Sequence, residues 1–377
     1  MKRIYLDYNA STPIAPEVAE AMQPFLREHF GNPSSPHWAG APAKKALNEA
    51  RGQVASLLGC EPNEIVFTSG GTEANNHAIK GAFFSLRQKG GHIITTQIEH
   101  PAVQQPCHFL ERLGAEITYL PVDGHGLVDP DTVRRAITSR TILVSVMHAN
   151  NEVGTLQPIH EIARITREHE VLLHTDAAQS LGKVPARVND LGVDLLSMAG
   201  HKLYAPKGVG ALYVRQGVTL EPLLHGAGHE LGRRAGTENV LLNIGLGAAC
   251  ELAASESEFR GPRLTQLRDY FHKGLQKLFG AAVHLNGHPT QRLPNTLNVS
   301  FAGRVGSEVL EALGDVAAST GSACHSGCRD VSSVLKAMGA TEDIGLGAVR
   351  FSLGRGTTFD EIDEVLELFR FRVLAPR

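Results

Sequence analysis

Hydrophobic and polar positions change their period several times along the chain. Short apolar runs, closed by polar or glycine-rich turn formers, occur at residues 65–68, 92–96, 117–120, 141–146, 171–173, 195–196 and 210–214. Runs of this length predict buried strands. Helix-like stretches separate most of them, and two more, at residues 17–28 and 41–58, precede the first. Alternating strand and helix over this length predicts an α/β fold: a mainly parallel, seven-stranded sheet flanked by helices.

The pattern changes after about residue 255. A long charged helix is predicted over 258–279 and a strand over 295–301, which reads as a smaller α+β domain. The expected division places residues 14–255 in the large domain, with 1–13 and 256–377 in the small one. A chain of 377 residues suits about two domains. Residues 319–332 carry small and polar side chains with no hydrophobic period, so they read as a loop.

Composition narrows the classes of function. Thirty-six basic and 39 acidic residues leave a formal charge of −3, which advertises neither nucleic acid nor an anionic membrane as a partner. The start of the chain reaches Asp7 after three apolar residues, too few for a secretory segment, and a cytoplasmic location is expected. The most apolar helix-like piece, 241–254, is interrupted by Asn243 and Glu251 and reads as a core helix. Five scattered cysteines argue against a disulfide framework, and only Cys324 and Cys328 lie close together, a poor zinc site.

The candidate chemistry lies at strand ends. The strand at 171–173 delivers His174, Asp176 and Gln179, and the run 194–198 leads into Gly200, His201 and Lys202. An acid and an amine at the ends of consecutive strands suit pyridoxal phosphate. That cofactor needs a lysine to hold it as a Schiff base and a carboxylate to keep its pyridine nitrogen protonated. Taken singly, Asp176 also reads as a turn cap and Lys202 as a solvated surface amine. After the strand at 65–68, Ser69-Gly70-Gly71-Thr72 opens a helix, and such a junction turns backbone N–H groups toward an anion. It reads as a phosphate seat.

Motifs spread over nearly the whole chain resemble the cysteine desulfurases of the pyridoxal-phosphate fold type I, class V aminotransferase group. They include Leu6-Asp7-Tyr8-Asn9-Ala10-Ser11-Thr12, the segment 69–76, Glu99-His100, Asn150-Asn151-Glu152-Val153-Gly154 and His174-Thr175-Asp176-Ala177-Ala178-Gln179. Gly200-His201-Lys202, Arg234-Ala235-Gly236-Thr237, Gly321-Ser322-Ala323-Cys324 and the segment 350–355 complete the series. The run before Cys324 resembles the subgroup of iron–sulfur-cluster and nitrogenase sulfur donors.

The resemblance implies a role for each position. Lys202 would carry the cofactor, Asp176 would hold the pyridinium, His100 would cover the ring face and Gln179 would bond the phenolic oxygen. Gly71, Thr72 and His201 would bind the phosphate, with Thr237 reaching it from the second subunit of a homodimer. Asn151 and Arg350 would grip the substrate carboxylate. Cys324 would be the nucleophile that takes sulfur from L-cysteine as a persulfide and hands it to an acceptor protein such as an iron–sulfur scaffold. Ala199 stands where many desulfurases offer the phosphate a serine. His325-Ser326 after the cysteine, with Gly236-Thr237-Glu238-Asn239, is similar to selenocysteine lyases, which makes L-selenocysteine the alternative substrate.

Overall fold

The computed structural model describes residues 3–320 and 330–374. Twelve strands are numbered in chain order. They are β1 (Ile4–Tyr5), β2 (Ile65–Thr68), β3 (His92–Thr96), β4 (Glu116–Leu120), β5 (Thr141–Ser145), β6 (Leu172–Asp176), β7 (Leu195–Ala199) and β8 (Gly210–Val214), followed by β9 (Val283–Asn286), β10 (Thr296–Phe301), β11 (Val316–Ala317) and β12 (Ala348–Ser352). The central sheet has seven strands in the order β2-β8-β7-β6-β5-β3-β4. The expected α/β architecture is therefore the observed one.

Pairing gives the sheet its direction. The pairs β3–β4, β3–β5, β5–β6 and β6–β7 are parallel, whereas β8 is antiparallel to both β7 and β2. Six strands thus point one way and β8 runs against them. From β3 the chain steps outward to β4, then returns to the other side of β3 to lay down β5, β6 and β7. The order reverses between β3 and β5, and the carboxyl ends at such a switch point leave a crevice.

β6 is longer at its carboxyl end than its apolar run predicts. It spans Leu172–Asp176, so three polar residues lie inside a buried central strand. The physical reason is lateral bonding. The His174 ring lies between Ser145 Oγ at 2.8 Å and Ser197 Oγ at 3.0 Å, on the two neighbouring strands. Thr175 Oγ1 donates to the Val146 carbonyl at 2.8 Å. Buried polar groups paired this way carry little desolvation penalty, and hydropathy alone cannot reveal the pairing.

Two large apolar clusters flank the sheet. One gathers Val54, Leu58, Phe67, Leu173, Leu196 and Leu246 with the helices Gly40–Leu58 and Val240–Ser255, and the other packs Ile79, Phe83, Val103 and Leu143 under the helices Gly71–Leu86 and Pro101–Glu111. A third cluster joins Ile4 and Leu6 to Leu267, Phe271, Phe301, Phe351 and Phe369. It is built on the antiparallel sheet β12-β10-β9 and the long helix Ser257–Phe279. The start of the chain thus packs with its last third: Ile4 pairs with Val316 and Asp7 bridges to Ser352. Among the described residues, no helix is long and apolar enough to cross a membrane.

Candidate active site

The parallel strands deliver their carboxyl ends to one cleft of about 390 Å³. β2 leads to Gly71 and Thr72, β3 to His100, β5 to Asn151, β6 to Asp176 and Gln179, and β7 to His201 and Lys202; Arg350 enters from β12. All nine line this cleft, as does Ala199.

The anion seat begins at Gly70, whose φ of 149° and ψ of −178° define a conformation open essentially to glycine. The following helix, Gly71–Leu86, has no side-chain cap at its first turn. Its amino end is therefore free to serve an anion. The opposite wall comes close: a Cβ at Gly71 would lie 3.2 Å from the Ala199 methyl, and one at Gly210 would lie 2.8 Å from Gly70.

Asp176 ends β6 and is held on both oxygens. Its Oδ2 accepts from Asn75 Nδ2 at 2.7 Å and its Oδ1 from the Ala178 N–H at 2.9 Å. Asn75 lies one helical turn after Gly71, which brings it to the face that carries the anion seat. Sequence reasoning gave it no role, although the four-residue spacing was a usable signal.

His100 caps the helix Pro101–Glu111, its Nδ1 accepting the Ala102 N–H at 3.0 Å. That bond leaves the ring proton to Nε2. Burial lowers the imidazole pKa, with Asp176 opposing and Lys202 adding to the fall. His201 is similarly lowered, to about 4, first by burial and then by Lys202. Both rings are neutral near pH 7. Beside His100, the fully buried Glu99 carboxyl is pushed up to about 8 by desolvation.

Lys202 Nζ donates to the carbonyls of Asn9 and Ala10, the latter at 2.9 Å. Burial and the Arg350 charge lower its pKa to about 8, against Asp7 and Asp176, which raise it. Arg350 donates through one amino group to Asp7 Oδ1 at 2.8 Å and through the other to the Asn151 carbonyl at 3.0 Å. Its Nε is buried and unpartnered. A donor in that state fits a ligand carboxylate.

Thr237 does not join these residues. It is exposed in the single chain, and its neighbours Gly236, Glu238 and Asn239 line a separate small pocket. Cys324, His325 and Cys328 lie outside the described residues. Both flanks of that segment are tied to the cleft. Ser319 exchanges two backbone hydrogen bonds with Arg350, at 3.1 and 2.6 Å, and Ser332 Oγ donates to Glu152 Oε2 at 2.5 Å.

The sheet and cleft define an α/β protein that sets an acidified amine, a braced carboxylate and an anion seat around one cavity. The chain belongs to the aminotransferase class-V family, which matches residues 4–365. It is 50% identical to the cysteine desulfurase IscS of Dictyoglomus turgidum (strain DSM 6724 / Z-1310), covering 100% of this chain and 97% of that protein. It is 52% identical to the cysteine desulfurase IscS of Methanosarcina thermophila, over 97% of this chain and 91% of that one. Among solved structures, a NifS-like protein superposes with a TM-score of 0.91 at 38% identity, covering 97% of this chain and 98% of the other. SspA in complex with cysteine matches with a TM-score of 0.84 at 40% identity, over 93% and 99% of the two chains.

Proposed function

We propose that this protein is a pyridoxal-phosphate-dependent cysteine desulfurase that converts L-cysteine to L-alanine and passes the sulfur on. The observation that carries the reading is the meeting of Lys202, Asp176, the Gly71 helix start and Arg350 in one cleft. Full-length likeness to proteins named cysteine desulfurase supports cysteine over the selenocysteine alternative.

The residues fit the cofactor on physical grounds. Lys202, with its pKa lowered to about 8, offers a far larger neutral fraction for covalent attachment than an ordinary lysine does. Asp176 keeps lone pairs beyond its two bonds for a pyridinium N–H. The uncapped helix start, Thr72 and His201 would hold the phosphate, His100 would cover the ring and Gln179 would bond the phenolic oxygen. Pyridoxal phosphate, when bound, draws electrons from the amino acid's α-carbon. Arg350 and Asn151 hold the substrate carboxylate, the free Nε–H supplying one bond. The amine of Lys202, once released, moves the proton at the α-carbon.

Cys324 is the nucleophile of this scheme. Its thiolate attacks the substrate sulfur, a sulfur–sulfur bond forms, and the carbon–sulfur bond breaks with its electron pair left on carbon, which is then protonated. The balance is L-cysteine plus enzyme thiol to L-alanine plus enzyme persulfide. Ser319, five residues before Cys324 in the sequence, pairs with Arg350 at the cleft. An acceptor protein such as an iron–sulfur scaffold then takes the sulfur.

The same reading makes the protein a cytoplasmic homodimer with Thr237 crossing to the neighbouring site. Its domains are 14–255 and the pair 1–13 with 256–377, a division supported by the separate apolar cluster that unites Ile4 and Leu6 with Phe351 and Phe369. The test is direct. Purified protein supplied with pyridoxal phosphate, L-cysteine and a thiol reductant yields equal amounts of alanine and sulfide, and Lys202→Ala yields neither. Turnover by Lys202→Ala at the wild-type rate refutes the assignment.

A further inference from the structure

Lys183 has no part in the scheme above, yet its amine is turned into the same network. The chain after β6 winds through helical turns: Leu181 N–H bonds the Ala177 carbonyl at 3.3 Å and Val184 N–H the Ser180 carbonyl at 3.0 Å. Residues four apart therefore share a face, and Lys183 follows Gln179 by four. Gly182 permits this path: its φ is 69°, and a Cβ there would lie 2.4 Å from Leu203 Cδ1.

Burial first, and then the cationic Lys202, Arg350 and Arg260, hold the Lys183 pKa well below the ordinary lysine value. Among the described residues, no carboxylate pairs with it. Its recorded partners are two amide oxygens, Gln179 Oε1 at 2.9 Å and Asn9 Oδ1 at 3.2 Å. An amide that accepts through oxygen must present its NH2 elsewhere, so a donor at Lys183 decides which way each amide faces.

The consequences reach both ends of the cleft. With its oxygen on Lys183, Gln179 turns Nε2 to the Asn9 carbonyl at 2.9 Å and keeps a second N–H for the cavity that it lines. Asn9 Oδ1 also accepts from Asn295 Nδ2 at 3.0 Å, which leaves Asn9 Nδ2 to donate to Thr296 Oγ1 at 2.8 Å and the Asn151 carbonyl at 3.3 Å. The Asn9 carbonyl is at the same time an acceptor for Lys202 Nζ.

We infer that Lys183 is a positioning residue of this site: by donating to Gln179 it fixes that amide so that Gln179 offers an N–H donor to the cavity, and by donating to Asn9 Oδ1 it joins Asn295 in holding the residue whose backbone carbonyl accepts from Lys202. The inference rests on the pyridoxal-phosphate reading and extends it to a residue that does not touch the ligand. Lys183→Met keeps the aliphatic length and removes the donor, leaving Gln179 Oε1 without this partner and Asn9 Oδ1 with Asn295 alone.

The experiment is a double-mutant cycle on the cofactor-free protein, read as the Kd for pyridoxal phosphate by absorbance titration. Lys183→Met is expected to weaken binding about tenfold, the scale of a buried hydrogen-bond donor. Gln179→Leu is expected to weaken it comparably, and adding Lys183→Met to Gln179→Leu to cost less than about twofold more, because the amide to be oriented is gone. Thermal unfolding of each variant controls for fold; should Lys183→Met fail to fold, Lys183→Leu, which likewise removes the donor, takes its place in the cycle. Unchanged affinity in the single variant, or two losses that simply multiply, overturns the inference. Absence of any uptake by the wild type overturns the functional reading and this inference with it.

Discussion

Replacing Lys202 with methionine is expected to make the cofactor-free protein more stable at pH 7, although it destroys the enzyme. The amine is largely buried, and burial with the Arg350 charge brings its pKa from 10.5 to about 8. At about 1.4 kcal/mol per tenfold, that fall is an electrostatic cost of about 3 kcal/mol to the folded state below pH 8. Methionine removes the charge but strips the Asn9 and Ala10 carbonyls of a donor, a loss of about 1 kcal/mol. The net gain is about 2 kcal/mol. The pH dependence has a definite sign. Between about pH 8 and 10.5 the unfolded chain holds the Lys202 proton while the folded chain has shed it, so wild-type stability rises with pH across that window. The advantage of Lys202→Met should therefore be full at pH 7 and vanish near pH 10. Urea unfolding of both cofactor-free proteins at the two pH values measures it. A variant that is less stable at pH 7, or a difference that ignores pH, refutes the reasoning. The same acidity has a functional side: at pH 8 about half of such an amine is neutral, against roughly one in 300 for an ordinary lysine.

Three other outcomes follow from the structure. Glu99 is fully buried with its pKa raised to about 8, so wild type should lose stability relative to Glu99→Gln as pH climbs from about 4.5 to 8; parallel unfolding curves across that range contradict this. Phe351→Ala removes a ring with no exposed surface, packed edge-on against Phe271 at 5.1 Å, and should cost about 3–5 kcal/mol in urea unfolding, with a loss under about 1 kcal/mol excluding Phe351 from a tight core. Cys324→Ala should lose nearly all sulfide release from cysteine yet keep a measurable fraction of selenium release from selenocysteine, because the carbon–selenium bond is weaker and needs less help from a nucleophile; wild-type rates on cysteine would sink the persulfide scheme.

Much of the site was legible because strand ends are punctuated by polar residues. Asp176, Gln179, His201 and Lys202 follow apolar runs directly, and the seven runs foretold the central sheet in full. What sequence alone could not convey is pairing across the fold. His174 and Thr175 look like the end of a strand until their partners Ser145, Ser197 and Val146 are known. Asn9 attracts no notice as a polar residue in a turn, yet its side chain and carbonyl join Gln179, Lys183, Lys202, Asn295 and Thr296. Asp7 is similar, since its value lies in Arg350 far along the chain. Thr237 was named only through family likeness, and in the single chain it stands exposed and outside the cleft.

The seam between Asn9 and Ser352 also sets a timetable for biosynthesis. The Asn9 N–H bonds Ser352 Oγ at 2.9 Å across 343 positions, and Ile4 pairs with Val316. The segment around Asn9 thus waits for one made 343 positions later before it can settle. Until then Lys202 lacks the Asn9 carbonyl in its final place and Arg350 lacks Asp7. Contacts so distant in sequence form late, since the chain must surrender its loop entropy before they reward it. A nascent chain arrested before residue 350 should therefore display a folded central sheet with no competence to capture an aldehyde, and the surroundings of the reactive amine should remain unassembled until residues 350–352 have been made.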